Sequence, residues 1–130
     1  MLMLAMPMLS WTQKTFWMIR TFISEEKVKR IIDRGIPKYT PRTLTSPLEF
    51  FEDLHLTRER GFAIAEQEFE DGINAIAAPI FNHSQQPIAS ISVAGPAYRL
   101  SQERMVEISS QVVATANHIA QEVEMTVNLA

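Results

Sequence analysis

The chain has 130 residues, enough for one domain with one buried core. It contains no cysteine, which excludes disulfides and thiolate metal sites and leaves the redox compartment unread. The net charge of -3 hides an asymmetry: Lys14 to Arg60 carries ten of the twelve basic residues, while after Gly61 only Arg99 and Arg104 stand against eight carboxylates. The basic residues of the first half alternate with Glu25, Glu26, Asp33, Glu49, Glu52, Asp53 and Glu59. That mixture reads as solvated helix faces with paired charges, not as a basic face for phosphates.

Residues 1–20 form an atypical apolar leader. Met1 to Ser10 holds four methionines and no basic residue, so it makes a poor secretory signal. It is also too short to span a bilayer, and no membrane role is expected. Trp11, Phe16 and Trp17 follow beside Lys14 and Arg20, without a clean period. Packing on its own domain or on a second subunit is the simplest role for such a segment.

A first helix is expected over Ser24 to Arg34. Ser24 suits the N-cap, Glu25 and Glu26 the first turn, and Lys29, Arg30 and Arg34 the end. Val28, Ile31 and Ile32 make one apolar stripe. Gly35 suits a left-handed cap, and Pro37 stops the helix. After a loop over 36–45, Ser46-Pro47-Leu48-Glu49 reads as a capping box opening a second helix. Leu48, Phe51 and Leu54 line one face of it, with Phe50 beside them, and Gly61 ends it.

Three strands are expected near 62–69, 73–81 and 87–95. The second and third are short apolar runs bounded by Gly, Asn and Pro, and residues 82–87 close a hairpin between them. A last helix runs from Ser101 to about Glu124, with Met105, Ile108, Val112, Ala116, Ile119 and Val123 as its seam. The tail, 125–130, is expected to fray. Hairpin-linked strands with helices packed on them imply an α+β fold with an antiparallel sheet.

Strand parity gives a candidate ligand surface. Alternate residues of a strand share a face. Ser90, Ser92 and Ala94 share one face of the third strand, and Ala89, Ile91 and Val93 the other. Ile73, Ala75, Ala77 and Pro79 share a face of the second strand. Small residues on neighbouring strands leave room for a mostly apolar ligand with few polar anchors, or else permit close packing of helices on the sheet.

Other chemistry finds little support. His55, His83 and His118 have no metal-ligand spacing, so no metal or cofactor is expected. His83 lies in a hairpin loop, and His118 near the edge of the last helix's seam. Glu66, Glu68, Glu70 and Asp71 form an acidic cluster that reads as a solvated strand end. There is no G-x-S-x-G elbow, catalytic cysteine or P-loop, and no enzyme is expected.

Several motifs occur together in order: Gly61-Phe62-Ala63 with Glu68, Gly72-Ile73, Ile76-Ala77-Ala78-Pro79, then Ser92-Val93-Ala94-Gly95-Pro96 with Arg99. This combination resembles the effector-binding domain of the IclR family of bacterial transcription regulators, from about Thr21 to Glu124. The resemblance implies a GAF-like domain: a curved antiparallel sheet flanked by helices over residues 21–124. It implies a cytoplasmic homodimer or homotetramer that senses a small-molecule effector, of the organic-acid or sugar-acid class. DNA would be read only through a winged helix-turn-helix for which this chain has no counterpart, so it resembles an N-terminally truncated member. By matching position, the residues that hold small 2-oxo acids in the family correspond to Ala65, Ala75, Ser92 and Ala94; with Ile73 they make the expected effector site. Only Ser92 keeps a polar group, which favours a larger or more apolar acid. The alternative reading is a self-association module that binds no ligand.

Overall fold

The computed structural model describes residues 25–35 and 38–128. The leader over 1–20, the Ser24 cap, Pro37, and the side chains of Val28 and Ile31 lie outside the described residues.

Helix α1 spans Glu25–Asp33, with Arg30 in its last turn. Gly35 follows at φ +87, and its N–H donates to the Ile32 carbonyl at 2.9 Å. A left-handed residue here suits glycine, which has no Cβ to clash. Helix α2 spans Pro47–Arg60 and ends in the same way, with Gly61 at φ +83 donating to the Thr57 carbonyl. Ser46 occupies the N-cap, yet its hydroxyl makes no cap bond, so the expected capping box does not form. Instead Pro47 presets the first turn, and the Ser46 carbonyl accepts from the Phe50 N–H. The buried side of α2 is only partly the one expected, since Leu54 turns inward as expected but Leu48 and Phe51 do not. Phe50, Leu54 and Thr57 are buried, while Leu48 is 68% exposed and Phe51 lies at the surface. The chosen side is the one that meets Ile32 of α1 and Leu44 of the preceding loop in a small second cluster.

Strand β1 spans Ala63–Glu66, β2 spans Ile73–Phe81 and β3 spans Pro87–Pro96. They form one antiparallel sheet in the order β1-β2-β3. β1 is shorter than the expected 62–69 because Gln67 adopts φ +51 and turns the chain. The turn is held from both ends: the Gln67 N–H donates to the Ile73 carbonyl, and its Oε1 accepts from the Gly72 N–H. Loop 38–45 pins the same turn from outside, since the Thr40 hydroxyl donates to the Gln67 carbonyl at 2.6 Å and the Thr43 hydroxyl to that of Glu68. Between β2 and β3, Asn82 organises the loop by accepting from the Gln86 N–H through Oδ1 and from the Gln85 N–H through its carbonyl.

Helix α3 spans Gln102–Asn128. Ser101 starts it by accepting from the Arg104 N–H. The helix runs past Glu124, through most of the tail that was expected to fray, because no Gly or Pro interrupts 102–128. Its seam packs on one face of the sheet: Ile64, Ile76, Ala78 and Ile80 meet Met105, Val112 and Ala116, with Ile91, Ile108 and Ile119 at the margin. Val123, expected in the seam, is instead 40% exposed, beyond the end of the sheet core. Asn74 is buried on β2 and donates from Nδ2 to the Leu100 carbonyl at 2.8 Å, tying the sheet to the turn that launches α3. The architecture is thus α+β, with an antiparallel sheet whose one face is covered by a long helix.

Candidate ligand-binding site

The sheet register brings the expected effector residues together. Ala65 of β1 lies opposite Ala75 of β2, and Ala75 opposite Ala94 of β3, so three alanines form one row. The neighbouring row is Ala63, Ala77 and Ser92. Pro79 and Ser90 extend it on one side, and Ile73 opposite Pro96 on the other. By alternation every one of these residues lies on the face away from α3. Adjacent strands are spaced about 4.8 Å and successive same-face residues about 6.8 Å, so the rows make a floor roughly 10 Å across.

Chemically this floor is almost bare. Ala63, Ala75 and Ala77 are buried, Ala65 and Ile73 half-buried, and Ser92 and Ala94 exposed. Nothing taller than a methyl or hydroxyl rises from its two central rows. Among the described residues the Ser92 hydroxyl makes no hydrogen bond, so it is available to a ligand as both donor and acceptor. No ionisable group belongs to the floor itself.

A separate cleft of about 430 Å³ opens at the outer side of β1. Arg42, Asp53, Arg60, Glu66, Glu68 and Gln102 line it, with Ile64 and Leu44. Ile64 and Glu66 alternate with Ala63 and Ala65, so the cleft and the floor belong to opposite faces of β1. None of Ala65, Ile73, Ala75, Ser92 or Ala94 lines it. The charges in the cleft largely answer each other. Arg42 lies 3.8 Å from Glu66, and both side chains remain partly exposed, so their pairing contributes little. Arg60 donates from Nε to the Phe62 carbonyl at 2.7 Å and stacks 5.0 Å over the Phe62 ring. Burial lowers the Arg60 pKa from its ordinary value, and Asp53 opposes that shift. The acidic cluster is therefore split. Glu66 and Glu68 line the cleft half-buried, while Glu70 and Asp71 are exposed as expected of a solvated strand end. Sequence patterning misses the cleft because its walls come from a loop, two helices and a strand far apart in the chain.

The remaining candidates stay dispersed. His55, His83 and His118 are largely exposed and lie near Glu59, Glu124 and Glu122 respectively. Among the described residues no group of His, Cys, Asp and Glu could hold a metal ion, and no helix is long and apolar enough to cross a membrane.

The described residues thus place a long helix on one face of a three-stranded antiparallel sheet and two rows of small side chains on the other. The chain belongs to the IclR family: residues 18–121 match the family described as Bacterial transcriptional regulator IclR C-terminal. It is 37% identical over 98 residues to the transcriptional repressor IclR of Escherichia coli, an alignment covering 75% of this chain and 36% of that protein. Among solved structures, the C-terminal domain of the E. coli regulator KdgR matches with a TM-score of 0.71 and 28% identity, over 80% of this chain and 64% of that one. The inducer-binding domain of Acinetobacter PobR, a double mutant in complex with 3-hydroxybenzoic acid, shares the fold at TM-score 0.73 and 24% identity, over 79% of this chain and 60% of that one. The chain spans about a third of the length of the curated relatives it matches. Those relatives are transcriptional regulators and not enzymes, in keeping with the lack of a catalytic constellation in the sequence.

Proposed function

We propose that this chain is the effector-sensing and oligomerisation part of an IclR-type transcription regulator, working in the cytoplasm. A small acid would lie on the floor formed by Ala65, Ile73, Ala75, Ser92 and Ala94. The observation that carries this reading is the register: five residues chosen by strand parity and family position fall in adjacent rows of one face, the one away from α3. Methyl groups offer apolar contact, and the Ser92 hydroxyl supplies one polar anchor. A site with one hydroxyl and no charge suits an acid with a sizeable apolar body better than a tiny carboxylate. The aromatic acid bound by the PobR domain is of that kind.

Ligand binding would bias one of two subunit arrangements, and DNA-binding segments such as those of the longer relatives would read the difference. A coupling of about 1–3 kcal/mol suffices for such control. Thermal melts of the chain with 2-oxo, sugar and aromatic acids test the proposal. One class should raise the midpoint in proportion to its concentration, as ligand linkage requires. A cooperative transition moved by none of them would remove the support for effector sensing.

A further inference from the structure

Although its charges offset one another, the cleft at the outer side of β1 holds polar groups without hydrogen-bond partners. Its volume of about 430 Å³ falls within the roughly 300–1,000 Å³ of small-molecule sites. We infer that this cleft binds a free amino acid with an uncharged side chain, held by its carboxylate and its ammonium together. The site goes beyond the proposed function, since the cleft and the floor lie on opposite faces of β1.

One wall comes from α2. Asp53, Thr57 and Arg60 stand at i, i+4 and i+7, so they share a side of that helix. Asp53 and Arg60 line the cleft. Thr57 stands between them at 1% exposure, and its buried hydroxyl has no hydrogen-bond partner. Arg60 donates from Nε to the Phe62 carbonyl, and among the described residues its two Nη groups make no hydrogen bond. Burial lowers the Arg60 pKa, so its charge has lost hydration that a neighbouring anion would replace.

Another wall comes from the sheet and the start of α3, through Glu66 and Gln102. Asn74 lies directly across from Glu66 in the register, and so on the same face. It is 5% exposed and bonded through Nδ2 to the Leu100 carbonyl, two residues before Gln102. Its Oδ1 is buried without a partner. Such an oxygen only accepts, so it calls for a donor. Arg42 lies 3.8 Å from the Glu66 carboxylate, too far for a hydrogen bond, so both retain bonding capacity.

The unmet needs are thus of both signs. Arg42 and Arg60 offer donors to a carboxylate, while Glu66 and Asn74 offer acceptors to an ammonium. Two arginines and three carboxylates give the lining one net negative charge. A simple acid is repelled by that balance, and a simple amine leaves Arg60 unanswered. A zwitterion satisfies both ends and adds no net charge, whereas a charged side chain would. Thr57 and Asn74 stand just behind the lining, and their oxygens come within reach as Arg60 and Glu66 turn onto the ligand.

The test is a titration of the full, isotopically labelled chain with neutral L-amino acids, one at a time. It is read at the arginine Nε–H and the Gln102 and Asn74 side-chain amide resonances. At least one amino acid should give saturable shifts at Arg42, Arg60 and Gln102, with Ala65, Ala75, Ser92 and Ala94 unmoved. Its N-acetyl derivative lacks the ammonium and its carboxamide lacks the carboxylate. Each should bind about 10-fold more weakly or worse, the loss of one charge-assisted contact. Arg42→Gln and Glu66→Gln should each weaken binding about 3–10-fold with unchanged circular dichroism, because both side chains are partly exposed and screened. If no amino acid moves these resonances, or if the shifts grow without saturating, the inference is overturned. An N-acetyl derivative that binds as tightly as its parent overturns it equally, by making the cleft a plain anion site. The acids proposed for the floor take no part in this titration, so its failure and the failure of effector sensing are distinguishable.

Discussion

The buried amide of Asn74 donates to the Leu100 carbonyl at 2.8 Å, and so links the central strand to the start of the long helix. The two residues are far apart in sequence but adjacent across the core, and Leu100 is itself 7% exposed. Asn74→Ala removes the donor and leaves a buried carbonyl unpaired. The expected cost is about 1–3 kcal/mol, read as a lower denaturant midpoint with an unchanged slope.

Met105 is fully buried between the sheet and α3, and Val106 beside it is 55% exposed. Met105→Ala should therefore cost about 2–5 kcal/mol through a cavity, and Val106→Ala within about 0.5 kcal/mol. Equal effects of the two substitutions in urea melts would mean that α3 meets the sheet through a different seam.

Gly61 ends α2 at φ +83, and a Cβ added there would meet nothing within 4 Å. The cost of Gly61→Ala is then conformational and not steric, about 1 kcal/mol. Gly61→Asn should cost less, because asparagine tolerates the left-handed region. Chemical denaturation of the two variants side by side checks the order.

On the ligand floor, Ser92→Ala should weaken effector binding about 2–10-fold, the worth of one ordinary hydrogen bond. Folding should change little, since Ser92 is exposed and its hydroxyl bonds to none of the described residues. Ala75→Leu should act more severely, because Ala75 sits at the centre of its row and a larger side chain would fill the floor. Calorimetric titration of both variants with the acid that raises the melting midpoint provides the comparison.

Much of this architecture is legible from local signals. Gly35 and Gly61 mark helix ends because the left-handed cap is a one-residue requirement. The faces of β2 and β3 follow from alternation, which also set Ser92 beside Ala94 before any register was known. What is not legible depends on neighbours distant in sequence. Phe50 and not Phe51 turns inward because Ile32 and Leu44 wait on that side. β1 stops at Glu66 because Gln67 is held by Ile73, Gly72 and Thr40. The charged cleft joins Arg42, Arg60 and Gln102 from three elements, a meeting that no periodicity announces.

The central claim is that an acid binds the small-residue floor and not the charged cleft. Amide chemical-shift mapping of the isotopically labelled chain, titrated with the acid that stabilises it, tests this most directly. The account predicts saturable shifts centred on Ala65, Ala75, Ser92 and Ala94, with Arg42, Arg60 and Gln102 unmoved. Shifts centred on Arg42, Arg60 and Gln102, with the floor silent, would contradict it.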